Sequence, residues 1–422
     1  MFPYELMAHR VTVRPWDLKH KCCASHLACA PKRRVLVPNA YNGPTVRRMC
    51  RLDRGAALAA LLVSACAYPR LESVPPAERS TRGEAERLRT YVESYAARQH
   101  FTGTVLVQRA DRELYRGSFG LASRVWNVKA TDSTRYRVAS VTKMFTSVLI
   151  MRLYERGLLD LEATIGTYLP NYTGDGRDRV KVSQLLNHTS GIANIDARIT
   201  SKEEAIRTGI EHYQRPLTID ELIQRYCSGD LVSEPGSVFS YNNADYMILG
   251  KIVEVLHGKP FDAVLHTELL DPLGMDDTGF LHQGDIIAGL AETYITRAGI
   301  EGLTHDLPVY WENWHAAGAM YSSVDDMLRF SRALFGGRLL RPSTLERMLT
   351  PGLDGYGYGL WIRDEQIGAR RWKSILRPGA VMGARAAWYH VLEPDLTVII
   401  LANSDQPDTD GFAYGIGRLL LE

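Results

Sequence analysis

Two short combinations in this sequence have the residue types and spacing that carbonyl chemistry needs. The first lies in Arg137-Val138-Ala139-Ser140-Val141-Thr142-Lys143-Met144-Phe145-Thr146, which holds the only Ser-x-x-Lys of the chain. With Ser140 opening a helix, Lys143 falls one turn later on the same face, so hydroxyl and amine become neighbours. An alcohol is a poor nucleophile until a base takes its proton. A lysine whose charge is disfavoured by burial or by nearby cations can take that proton or relay it. The free N–H groups and positive dipole end of a helix start suit a developing oxyanion. Ser is also a common N-cap and Lys a common exposed helix residue, so the motif needs support from elsewhere.

The second combination comes 101 residues after Ser140, in Ser240-Tyr241-Asn242-Asn243-Ala244-Asp245-Tyr246, with the only Tyr-x-Asn. A phenol beside an ammonium has its ionised form favoured, so Tyr241 could shuttle a proton between nucleophile and leaving group. Asn243 could donate to a substrate carbonyl while accepting from Lys143. The plainer alternative is a packed tyrosine at a helix start with asparagine as its cap.

Such residues must be brought together by elements far apart in the chain. Glu84 to His100 carries Leu88, Tyr91, Val92 and Tyr95 at three- and four-residue spacings and reads as an amphipathic helix. Gly103–Ala110 and Arg112–Gly120 are β-rich runs around an Asp-containing turn, the pattern of a hairpin. The middle of the chain, about Ser140 to Leu334, is mostly helical by pattern, with apolar periods in Phe145–Leu159, Ser183–Leu186, Ile219–Tyr226 and Ala244–Leu256. Strand character returns in Tyr356–Ile362, Ala384–Leu392 and Leu396–Leu401, and Gly411–Leu421 closes as a helix. Strands at both ends around a helical block imply an α+β fold whose sheet joins sequence-distant segments.

Seven segments from Phe101 onward strengthen this. They are FTGTVLVQRADRELY, RVASVTKMFTS, VSQLLNHTSGI, SYNNADYMILGKIVE, LLDPLGMDDTGF, AAGAMYSSVDDMLRFSRAL and LTVIILANSD. In this order the sequence resembles the serine β-lactamase and penicillin-binding-protein superfamily, in particular its class C β-lactamase-like branch with D-alanyl-D-alanine carboxypeptidases and carboxylesterases. The resemblance implies an antiparallel sheet flanked by helices, a mostly helical lobe and no cofactor or metal. It also implies roles: Ser140 the acylated nucleophile, Lys143 its proton partner, Tyr241 the base, and Asn243 the substrate-orienting amide.

The resemblance departs at a third element, normally Lys-Thr-Gly or His-x-Gly on the strand lining the cleft. Here the matching place is Arg377-Pro378-Gly379. The cation survives as a permanently charged fork and the hydroxyl is lost. Pro378 removes a backbone donor, tolerable only on a sheet edge or where that N–H faced outward. Gly379 is expected to permit close substrate approach, and the Ala380 and Ser140 N–H groups to form the oxyanion hole. In relatives the hydroxyl and cation together hold a carboxylate, so its loss favours neutral or weakly anionic esters, while Arg377 argues partly for peptides. The implied substrates are small-molecule esters, D-Ala-type peptides or, less efficiently, β-lactams. The competing reading is an impaired module that binds cell-wall fragments or a partner protein. His188 reads as a turn and packing residue, and Gly355-Tyr356-Gly357-Tyr358-Gly359 as a twisted lead-in to a strand rather than a nucleotide loop. Neither a Gly-x-Ser-x-Gly elbow nor a His-Glu-x-x-His occurs.

Composition bounds what else the chain could be. Its 422 residues are 45% hydrophobic and 23% charged, the balance of a globular protein. The net charge of +2 divides at Cys66: residues 1–66 carry 11 Lys+Arg and 3 Asp+Glu, the remainder 39 and 45. An acidic body gives no electrostatic footprint for nucleic acid. Cys22, Cys23, Cys29, Cys50 and Cys66 all lie in the leader and only Cys227 in the body. His20, Cys22, Cys23, His26 and Cys29 match no standard zinc spacing. From Met49 the chain instead reads as a lipoprotein-type signal peptide, residues 49–65: Arg51 and Arg54, the apolar Gly55–Val63, then Val63-Ser64-Ala65-Cys66. Cleavage before Cys66 would leave its thiol for lipidation and anchor the body to a bacterial membrane, on the periplasmic or extracytoplasmic side. Residues 1–48 then read as a non-native upstream extension, 66–82 as a flexible tether, and 83–422 as the hydrolase domain.

Overall fold

The structure is a computed structural model that describes residues 76–422, apart from 198 and 200, with side chains from residue 83 onward. The zinc-spacing cluster, the signal segment and Cys66 lie outside the described residues. Helix α1 spans Pro76–Arg98 and therefore begins seven residues before Gly83, inside the stretch read as tether. Proline fits the first turn of a helix, where its absent N–H has no intrahelical acceptor to lose. The hairpin follows, β1 (Gly103–Arg109) and β2 (Arg112–Phe119). A 3-10 turn at Ala139–Val141 leads into α2 (Thr142–Glu155), and α3 spans Asn243–His257. Four strands close the chain, β3 (Trp361–Ile367), β4 (Arg370–Val381), β5 (Ala384–Val391) and β6 (Leu396–Ala402), before α4 (Thr409–Leu421).

These strands form one six-stranded antiparallel sheet in the order β3-β4-β5-β6-β1-β2. Its centre is the pairing of β1 with β6, Val105 opposite Ile400 and Val107 opposite Val398, which joins the two ends of the domain. Both central strands are apolar on both faces, as strands covered from two sides must be. Val105, Val107, Val398 and Ile400 pack with Leu88 and Val92 of α1 and Phe412 and Ile416 of α4. The alternate residues Leu106, Ile399 and Leu401 turn to the other face and join the core of the helical lobe. Each fully buried Val or Leu contributes about 1.5–3 kcal/mol.

Helix α2 runs through that lobe, with Met144, Phe145, Val148, Leu149, Ile150 and Met151 all buried. A helix apolar around its circumference is a core helix, and any polar side chain on it must find a partner. Thr146 donates to the Ala316 carbonyl at 2.7 Å, and Ser147 donates at 3.1 Å to the Tyr246 hydroxyl, whose own proton goes to the Leu186 carbonyl. The run expected to be a strand at Tyr356–Ile362 is mostly loop. Gly355 and Gly359 have φ of 68° and 95°, outside the extended region, and the strand starts only at Trp361.

Candidate active site

Ser140 sits in the 3-10 turn that precedes α2, two residues before the first α-helical residue, so it stands at the helix entrance without being its cap. The turn is forced by Ala139, which takes φ of 48°, a conformation uncommon for a residue with a side chain. In the first turn the Ser140 N–H has no intrahelical acceptor. On the second segment the labour is divided differently from the sequence expectation. Asn242 is the N-cap of α3, accepting from Ala244 N–H at 2.8 Å. Asn243 is thereby free to turn its amide into the site.

The four expected side chains converge. Lys143 Nζ is 3.3 Å from Ser140 Oγ, and it donates to Asn243 Oδ1 at 2.6 Å and the Ala317 carbonyl at 2.9 Å. The Tyr241 hydroxyl donates to Ser140 Oγ at 2.9 Å. Lys143 is fully buried, and its ammonium lies 4.9 Å from the centre of the Tyr241 ring.

Burial lowers the Lys143 amine to about 8, with the Arg377 charge acting in the same direction and Tyr241 opposing it. For Tyr241, burial on its own would raise the phenol, but the charges of Arg377 and Lys143 outweigh it and bring the group down to about 8. An amine and a phenol held near neutrality, both within reach of one hydroxyl, are suited to moving its proton.

Arg377 departs from the expected picture. It is 1% exposed rather than open to a substrate carboxylate. Nη2 donates to the Tyr241 hydroxyl at 2.6 Å, Nη1 to the Tyr356 hydroxyl at 2.7 Å and the Gly359 carbonyl at 3.0 Å, and Nε to the Pro378 carbonyl at 3.1 Å. Four of five donors are spent inside the protein. Gly379 also has a different reason to be glycine. A Cβ there would lie 2.2 Å from the Val138 carbonyl, so the residue permits β4 to approach the backbone leading to Ser140 rather than to approach substrate. Arg377 and Gly379, two residues apart, share that face of the strand. Pro378 is tolerated because β3 pairs with β4 only as far as Trp361 opposite Leu376, which leaves the rest of β4 with a neighbour on one side. Ala380 follows on the same strand, opposite Arg385.

His188 is fully enclosed, as expected of a packing residue. Nδ1 lies 2.9 Å from Asp245 Oδ2, and its ring is 4.5 Å from that of Tyr241. Burial holds His188 well below and Asp245 well above their ordinary values.

Sequence reasoning missed three contributors. Asp196 accepts from Asn243 Nδ2 at 2.5 Å, Tyr356 braces Arg377, and Trp361 stacks on Tyr241 with ring centres 5.9 Å apart. Tyr356 and Trp361 were visible only as aromatic residues near a glycine run, and Asp196 had no motif at all.

The Beta-lactamase family model matches residues 88–420. The chain belongs to the β-lactamase family. Esterase EstB of Burkholderia gladioli is 29% identical over 360 residues, 76% of this chain and 90% of that protein. A Bacillus subtilis relative with a penicillin-binding-protein name, PbpX, is 26% identical over 272 residues, and the chain spans 64% of its length. Among solved structures, the penicillin-binding protein of Bacillus halodurans aligns with a TM-score of 0.66 at 24% identity, covering 79% of this chain and 98% of that one. The D-amino acid amidase of Ochrobactrum anthropi SV3 gives 0.66 at 22%, covering 81% and 98%. These two likenesses establish the β-lactamase fold, in agreement with the α+β class and the antiparallel sheet read from the sequence.

Proposed function

We propose that the protein is a serine hydrolase that forms an acyl-enzyme on Ser140. The carrying observation is the Ser140 hydroxyl lying 2.9 Å from the Tyr241 phenol and 3.3 Å from the Lys143 amine. Tyr241, ionised between Arg377 and Lys143, takes the Ser140 proton as Oγ attacks the substrate carbonyl carbon. The oxyanion is received by the N–H groups of Ser140 and Ala380. On collapse the leaving group departs with the proton from Tyr241; in the second half Tyr241 takes a proton from water as the water oxygen attacks the acyl carbon, and returns it to Ser140 Oγ as the acid is released.

The substrate class follows from the third element. With Arg377 spent on Tyr241, Tyr356 and Gly359, and no hydroxyl at Pro378, the pair that would grip a carboxylate is not offered. This supports carboxylic esters and neutral D-amino-acid amides ahead of peptides with a free carboxyl end, and β-lactams behind both. The names of EstB and the D-amino acid amidase are compatible with ester and amide substrates, while an Escherichia coli relative with a D-alanyl-D-alanine carboxypeptidase name keeps peptides among the candidates. We place the protein in the bacterial cell envelope, lipid-anchored through Cys66. Among the described residues no helix is long and apolar enough to cross a membrane.

Hydrolysis of nitrophenyl butyrate tests the reading. Turnover by the wild type that disappears in Ser140→Ala supports it. Equal turnover by both proteins rejects it, and no turnover by either favours the impaired binding module.

A further inference from the structure

Asp196 is a partly exposed carboxylate beside the candidate nucleophile, with no motif to announce it. Oδ2 accepts from Asn243 Nδ2 at 2.5 Å, and Oδ1 lies 3.4 Å from His212 Nε2. Asn194 from the same loop receives the Asn243 backbone N–H at 3.2 Å. This loop therefore holds Asn243 by both its backbone and its side chain.

A carboxylate can only accept, so the Asn243 side chain must present its NH2 to Asp196. Its carbonyl oxygen then has to face Lys143, where it accepts at 2.6 Å. The Ala317 carbonyl fixes a second direction on the same nitrogen at 2.9 Å. With two tetrahedral directions taken by acceptors, a third falls on Ser140 Oγ, as an N–H when the amine is charged and as a lone pair when it is neutral. The pair of carbonyls thus aims the amine at the hydroxyl in either state.

We infer that Asp196 is a positioning residue for the reaction proposed above: it fixes the Asn243 amide so that Lys143 is held between two carbonyl oxygens and directed at Ser140. The inference rests on the assignment of Ser140 and Lys143 to that reaction. Asp196 also places a negative charge near a site that contains two cations, Lys143 and Arg377. The other titratable groups around Asp196, Lys143 and Arg377 are Tyr241, Tyr246, Tyr356, His188, Asp245, His212, Tyr213, Cys227 and Asp410. Removing the Asp196 charge disfavours the protonated Lys143 amine, which then loses its proton at lower pH.

The test uses the full chain. The Lys143 amine is titrated by NMR in protein carbon-13 labelled at the lysine Cε, its signal assigned by its absence in Lys143→Met, and the titration is repeated in Asp196→Asn. The Lys143 midpoint is expected to move to lower pH when Asp196 is replaced by Asn. Asp196→Ala, which also frees the amide, should lower the kcat/KM plateau about a hundredfold, with partial recovery in Asp196→Glu. An unchanged midpoint in Asp196→Asn, or a wild-type plateau in Asp196→Ala, overturns the inference. If the wild type does not hydrolyse the ester, the acyl-enzyme reading fails separately, and the Lys143 titration still reports whether Asp196 acts on that amine.

Discussion

The Arg377 guanidinium and the Tyr241 phenol are 2.6 Å apart, although 136 residues separate them in the chain. That contact places a permanent cation from the sheet against the group that faces Ser140 from the helical lobe. We propose on this contact that the altered third element serves the ionisation of Tyr241 rather than recognition of a substrate carboxylate.

Replacing Arg377 with Met should raise the Tyr241 pKa, because the lost positive charge had favoured the phenolate. The acidic limb of kcat/KM then moves to higher pH, and activity at pH 7 falls about tenfold for each pH unit of displacement. Arg377→Lys should restore part of it. Left without its donor, the buried Gly359 carbonyl should also cost about 1–3 kcal/mol in a denaturant titration. An acidic limb at the wild-type position in Arg377→Met contradicts the assignment.

Gly379→Ala probes the contact between β4 and the nucleophile turn. The added methyl would stand 2.2 Å from the Val138 carbonyl and 3.3 Å from the Ala386 Cβ, so the turn that carries Ser140 must shift. Ester turnover is expected to drop about a hundredfold and stability by about 1–3 kcal/mol. Wild-type kinetics would show that the close approach is dispensable.

The His188–Asp245 pair makes a prediction about stability and pH. Asp245 is raised on folding, so its contribution is full below its unfolded value near 3.8 and is lost as pH rises towards the folded one. His188 is lowered, so its contribution is present above its unfolded value near 6.5 and is lost as pH falls below it. Asp245→Asn keeps the shape and removes the first of these dependences. Relative to wild type, its Tm should therefore improve as pH rises from 4 to 8; a difference that stays constant would contradict a carboxyl raised by burial.

For the membrane anchor, Cys66→Ser should transfer the protein from the membrane to the soluble fraction of a bacterial host. Retention of the variant in membranes would remove the lipid-anchor proposal.

How much of this was legible beforehand varied with the kind of interaction. The hairpin read as Gly103–Ala110 and Arg112–Gly120 is β1 and β2 within one residue at each end, and the helix read as Ile219–Tyr226 has those bounds. Their apolar periods are local and the core simply accepts them. The convergence of Ser140, Lys143, Tyr241 and Asn243 was legible because helix spacing and family order fixed it. Strand β4 was not read as a whole: Arg370-Arg371-Trp372-Lys373-Ser374 has no apolar alternation, and pairing with β3 along the whole segment overrides that composition. The roles of Asp196, Tyr356 and Trp361 depend on contacts across the fold, and no local pattern encodes those.

The most direct measurement is intact mass after incubation with a fluorophosphonate at pH 8. The account predicts a single phosphonyl adduct on the wild type, located on Ser140 by peptide mapping, and none on Ser140→Ala. A wild type that stays unmodified, or a variant that gains the same adduct, would contradict it.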